Sequence, residues 1–307
     1  MIEIDKSLSV GKGDLLKYFR HRAYESLEEI RRTYGTTQFK KLASLINKAV
    51  IETRNGLLKT LIQKAKKEEW TNYEILKCVL MVTYTSYIVM LEYRNEVWPY
   101  DYMTFSRRIG ELWEPFCKLC FDYSSRDVKL FVPPLFSDVK KRFKNEIEDY
   151  IDQLNITDEQ KKELKRYYNK VWNLVAVGAI KLELDLHFEL NDEKIVVDFK
   201  SGFGSNEKGN TNRLLLVASI YKNLEENYKC VIFVRSEEDK NNSYFKVLKN
   251  SGVWEAYCGD EAYEKIKEYS GFDLKNWVGN NINWQADFKK ETIQYFRENN
   301  LDQYLTW

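Results

Sequence analysis

Residues Lys181 to Lys200 hold two short runs in which apolar and polar side chains alternate, and this constrains the fold more than any other stretch of the chain. In the first run Leu182, Leu184, Leu186, Phe188 and Leu190 interleave with Glu183, Asp185, His187 and Glu189. In the second, Ile195, Val197 and Phe199 point one way and Val196, Asp198 and Lys200 the other. A period of two is the mark of a strand with one face buried, so the segment reads as a β-hairpin with an apolar face and a chemical face. Asn191 to Lys194 supplies the polar turn. Pairing Leu190 with Ile195 across that turn would set Asp185 opposite Lys200 and His187 opposite Asp198. Two carboxylates and a lysine then meet on one patch.

Paired carboxylates resist full ionisation unless a cation joins them, and hard oxygen ligands suit Mg2+, with Mn2+ as a substitute. A lysine beside that ion can position a water and offset the charge of a phosphorane. The elements downstream extend the pattern. Ser201 to Asn212 is rich in Gly, Ser and Asn and reads as a loop, Arg213 to Leu224 as a helix, and Cys230 to Val234 as a strand covered on both faces. Asn242–Asn250 reads as helix, Val253–Cys258 as strand and Asp260–Tyr269 as helix. That order predicts an α/β fold, a mixed sheet flanked by helices.

The Asp185, Asp198-x-Lys200 arrangement on a strand pair followed by loop and helix resembles the PD-(D/E)xK nuclease superfamily. Upstream, Arg107-Arg108-Ile109-Gly110-Glu111-Leu112-Trp113-Glu114 resembles the Arg-x-Gly-x-x-x-Glu helix that many type II restriction endonucleases place before the first catalytic strand. The resemblance covers residues 100 to 270. It implies a restriction-endonuclease-like core in which Asp185, Asp198 and the Phe199 carbonyl hold Mg2+, Lys200 positions the attacking water, and Glu114 completes the carboxylate cluster. Glu111 competes with Glu114 for that place, and Pro115 should kink or break the helix just behind it. The resemblance further implies hydrolysis of double-stranded DNA to 5′-phosphate ends by a homodimer, in a prokaryotic restriction-modification system. Its DNA contacts would come from Ser201, Asn206, Lys208, Asn210, Asn212 and Arg213, and from Lys40 and Lys41 in the helical region.

The first hundred residues are expected to be all-helical, from amphipathic periodicity over Leu15–Arg32, Phe39–Glu52, Leu57–Glu68 and Tyr73–Tyr93. Trp98-Pro99 marks a boundary, dividing the chain into a helical region, 1–98, for DNA recognition or dimerisation, and a nuclease core, 99–307. The core should carry a helical insertion at about 138–178 and a C-terminal helical extension. Net charge is only +1, so any nucleic-acid footprint must be local, and the segment Thr36–Trp70 concentrates lysines.

Other chemistries find little support. Gly11-Lys-Gly-Asp14 lacks phosphate-loop spacing, and two histidines leave little for a histidine metal site or a Ser-His-Asp hydrolase. Cys117 and Cys120 form a CxxC without a second pair, which reads as reduced thiols in a cytoplasmic protein. The start of the chain lacks a secretory pattern, and Cys78–Leu91 reads as a buried helix, not a membrane span. A repair or recombination nuclease, a catalytically silent DNA-binding module and a helical interaction factor remain as alternative readings.

Overall fold

The computed structural model describes residues 3–175, 181–204, 208–224 and 227–307. The chain opens with α1 (Lys12–Tyr34), α2 (Phe39–Lys67), α3 (Asn72–Val97) and α4 (Tyr102–Asp122). Helix α3 begins at a capping box, Thr71 and Glu74 each satisfying the other's backbone N–H, and is apolar on every side. It is therefore the central helix, packed by α1, α2 and α4. It is long and apolar enough to cross a bilayer, but 89% of that window is buried inside the molecule.

Two expected helices, Phe39–Glu52 and Leu57–Glu68, are one continuous α2. Gly56 costs a helix interior only about 1 kcal/mol, and Ile46, Val50, Leu57 and Leu61 keep one buried stripe across it. Pro115 does not break α4 either. The helix runs to Asp122 because Ile109, Trp113, Phe116, Cys117 and Cys120 bury themselves on both sides of the proline.

The five strands are β1 (Lys129–Leu130), β2 (Leu186–Leu190), β3 (Glu193–Lys200), β4 (Tyr228–Val234) and β5 (Glu255–Cys258). They lie in chain order in one mixed sheet, antiparallel from β1 to β3 and parallel from β3 to β5. Between β1 and β2 stands the helical insertion, α5 (Phe136–Gln153) and α6 (Asp158–Val175). After β3 come α7 (Lys208–Lys222), α8 (Ser243–Lys249), α9 (Gly259–Ser270), α10 (Leu274–Asn281), α11 (Trp284–Asp287) and α12 (Lys290–Glu298). The protein is thus α/β, with an all-helical N-terminal region.

Both faces of the sheet are covered, so β2 and β3 are more deeply buried than the half-buried strands their alternation predicts. One apolar cluster joins Phe188, Val197, Phe199 and Phe233 to α3, α4 and α9, and runs on through the C-terminal helices. A second packs Val196, Ile232 and Val234 beneath Leu214, Val217 and Tyr221 of α7 and Phe245 of α8. The first cluster passes Trp98 without interruption. Two buried polar centres tie the C-terminal helices to the N-terminal ones. Asp287 accepts from Lys12 Nζ at 2.8 Å and Tyr84 Oη at 2.7 Å, and Glu92 accepts from Arg20 and the Lys289 amide.

Candidate active site

The hairpin turn is tighter than the sequence suggests. Asn191 and Asp192 both have positive φ, 52° and 63°, as a two-residue turn requires, and Leu190 pairs with Glu193 instead of Ile195. The register therefore shifts by two, which keeps Leu186 to Leu190 on their expected faces but changes their partners, whereas Leu182 and Leu184 lie ahead of the strand and pack in the second cluster, not with Leu186 and Phe188 as the alternation predicts. His187 lies opposite Val196, not Asp198. The ladder ends at Leu186 with Val197, so Asp185 lies just ahead of the strand and is not paired with Lys200. The Asp185 Oδ2 atom accepts a 2.7 Å hydrogen bond from the Phe199 amide, which brings its charge near enough to act on Asp198.

Asp198 is 1% exposed. Burial pushes its carboxyl up to about 6, with the neighbouring Asp185 acting in the same direction and Lys200 and Arg213 opposing. The Lys200 ammonium contacts Asp198 Oδ2 and lies 3.3 Å from the Phe199 carbonyl oxygen. The contact pairs and hydrogen-bonds Lys200 with the carboxylate, which works against the effect of burial. Arg213 Nη2, on α7, stands 3.6 Å from Asp198 Oδ1. Its placement beside the carboxylate, not merely at a DNA surface, follows from α7 beginning at Lys208, earlier than expected.

The donor set of Asp185, Asp198 and the Phe199 carbonyl is all hard oxygen and fits a divalent ion such as Mg2+. A third carboxylate does not join it. Among the described residues no three His, Cys, Asp or Glu side chains stand close enough to hold a metal. Glu114 is taken up by Lys118 one turn on, at 2.9 Å, and Glu111 is shared by Arg107 and Arg108. The expected cluster of Glu114 with Asp185 and Asp198 is therefore not assembled in this structure.

What the α4 motif does provide is close approach. A Cβ built on Gly110 would fall 2.6 Å from Ser201 Cβ and 2.8 Å from its Oγ, so only glycine lets α4 lie against the end of β3. Trp113, one turn along, packs edge-on against Phe199 at 5.7 Å. Helix α4 thus braces the strand end that carries Lys200.

The segment after β3 is pinned. Asn241 Oδ1 accepts from the Phe203 amide at 2.8 Å, Asn242 donates to the Gly204 carbonyl, and Ser236 Oγ donates to the Ser201 carbonyl at 3.0 Å. Ser201 is half-buried against Gly110, while Lys208, Asn212 and Arg213 are exposed on the first turns of α7 and Asn210 is half-buried. Asn206 lies outside the described residues. Lys40 and Lys41 are exposed at the start of α2, Lys41 over the Tyr34 ring at 3.8 Å.

His187 is a core residue. Its Nε2 accepts from the Leu184 amide at 3.1 Å, its ring meets Phe131, and burial lowers it to about 4, which favours the neutral imidazole. Cys117 and Cys120 are buried thiols raised by the same cause, which disfavours the thiolate that zinc requires. No family model, curated protein or solved structure matches the chain.

Proposed function

We propose that the chain is a Mg2+-dependent phosphodiester hydrolase acting on double-stranded DNA, a type II restriction endonuclease with a PD-(D/E)xK core. The observation that carries the reading is Asp185 beside Asp198 with Lys200 on Asp198 at the end of a covered strand pair. Asp185, Asp198 and the Phe199 carbonyl would hold the ion, which when bound supplies charge neutralisation at the scissile phosphate.

The chain's own groups account for the remaining steps. Asp198 must be ionised to serve as a ligand, so its raised pKa sets a lower pH limit on the site. Lys200, held between Asp198 and the Phe199 carbonyl, orients a water towards phosphorus and offsets negative charge on the phosphorane. Arg213 limits the repulsion between the carboxylates and lends positive charge at the same point. Burial of Asp198 strengthens each of these interactions. On this reading the products carry 5′-phosphate ends, and a homodimer matches a two-fold symmetric site. The carboxylate supply is two, not three, with Glu114 as a structural partner of Lys118.

Incubating purified protein with plasmid DNA and Mg2+ and sequencing the fragment ends tests this. Defined fragments with 5′-phosphates support a restriction enzyme. Cleavage confined to branched or flapped substrates assigns the same site to repair or recombination, and intact DNA under all divalent ions rejects a hydrolase.

A further inference from the structure

Away from the hydrolytic carboxylates, the joint between α3 and α4 holds a buried cation with no carboxylate in direct contact, Asp101 acting on it only from farther off. Arg94 is 8% exposed, and among the described residues it forms no ion pair. Its guanidinium lies between two rings, 4.0 Å from the Tyr100 centroid and 4.8 Å from that of Trp98, and its Nη1 is buried without a hydrogen-bond partner. The Tyr100 hydroxyl is also buried and unpartnered. Arg108, reaching in from α4, lies close to that hydroxyl without a well-formed hydrogen bond to it.

Two unmatched donors beside a second arginine are costly in a protein interior, because a buried donor without an acceptor has given up its bonds to water and gained none. Aromatic rings soften the Arg94 charge but accept no N–H. An anion with several oxygens would satisfy Arg94 Nη1 and the Tyr100 hydroxyl, and would share Arg108 with Glu111, which accepts from it at 3.1 Å. The outer wall is made of partly exposed side chains, Trp98 at 41% and Arg108 at 31%. Beyond Trp98 opens a groove of ≈ 820 Å³ lined by Phe39, Lys40, Lys41 and Ser44. On the other side, Arg108 stands two residues before Gly110, which touches Ser201.

We propose that Arg94 Nη1, the Tyr100 hydroxyl and Arg108 form a phosphate-binding site, approached through the Lys40–Lys41 groove. The ligand is a phosphate group, either in a DNA backbone or free. In the first case the site grips the strand outside the hydrolytic centre and extends the DNA reading above, yet it is measured without cleavage and so stands or falls separately.

The experiment is calorimetric titration of the full chain in EDTA with inorganic phosphate and, separately, with a short DNA duplex. Tyr100→Phe removes one hydroxyl and keeps the ring, and Arg108→Gln alters a half-exposed side chain, so both should fold; melting curves check this. Wild type should bind phosphate saturably. Tyr100→Phe should weaken it about threefold and Arg108→Gln about tenfold, as expected for neutral and charge-assisted contacts. If duplex affinity falls in the same variants, with its dependence on salt reduced by about one phosphate, the ligand is the DNA backbone. If phosphate affinity falls and duplex affinity does not, the ligand is free phosphate. Absence of saturable phosphate binding together with unchanged duplex affinity in both variants overturns the site and leaves Arg94 as a structural clamp on the α3–α4 turn.

Discussion

Asp185 Oδ2 and the Phe199 amide are joined by a 2.7 Å hydrogen bond across the hairpin, and this single contact brings a carboxylate from the strand entrance alongside the buried Asp198. Both acids depend on it in opposite ways. Asp185 is fixed by a backbone donor, whereas Asp198 is pressed by burial and by Asp185 itself towards its protonated form.

The raised pKa of Asp198 predicts a pH-dependent stability with a definite sign. A carboxyl whose folded pKa, about 6, lies above its unfolded value of 3.8 stabilises the fold fully at pH below 3.8, and that contribution is lost as pH rises through 6. Asp198→Asn removes the titration. Chemical denaturation of both proteins between pH 4 and pH 7 should show the wild type losing ground steadily against Asp198→Asn. A constant difference would mean that the carboxylate is not desolvated.

Close approach at Gly110 predicts a steric coupling. Gly110→Ala drives a methyl into Ser201 and should destabilise by about 1–3 kcal/mol, the usual cost of overpacking. Ser201→Gly, which removes the opposing Cβ, should recover much of that loss in the double variant. A double-mutant cycle from denaturant midpoints measures the coupling, and strict additivity would place α4 away from the strand end.

Glu114 and Glu111 separate the resemblance from the structure. Both are engaged by basic residues of their own helix. Glu114→Gln and Glu111→Gln should each leave single-turnover cleavage within about threefold of wild type, the scale expected for a partly exposed ion pair and not for a metal ligand. A loss of several orders of magnitude in Glu114→Gln would restore the third carboxylate.

Ion selectivity follows from the oxygen donors. Mg2+ and Mn2+ should support cleavage, and Ca2+ should bind without turnover because its longer, looser coordination does not hold the phosphate tightly. Melting temperature in each ion, with and without Asp198→Asn, separates binding from catalysis. A Ca2+ form as active as the Mg2+ form would contradict the proposed ligand set.

Much of this arrangement is legible in the sequence because alternation and apolar runs are local signals. The strands at 186–190, 193–200 and 228–234, and the helices between and after them, follow from such patterns. Register does not, since it turned on whether Asn191 and Asp192 alone would accept positive φ. Nor does burial of the second face: Val196 looks like one apolar residue among charges until α7 covers it. Strand β1, two exposed residues long, carries no pattern at all. The i,i+4 spacing of Glu114 and Lys118 fits an ion pair as well as it fits the motif, and spacing alone does not separate the two. The pairing of Arg213 with Asp198 needed the true start of α7.

The central claim is that Asp185, Asp198 and Lys200 together hydrolyse DNA, and single-turnover cleavage of plasmid DNA in Mg2+ by wild type, Asp185→Asn, Asp198→Asn and Lys200→Ala tests it most directly. The wild type should cleave and EDTA should abolish the cleavage, while each variant should lose several orders of magnitude in rate with melting and DNA binding preserved. Cleavage by all three variants at the wild-type rate would contradict it.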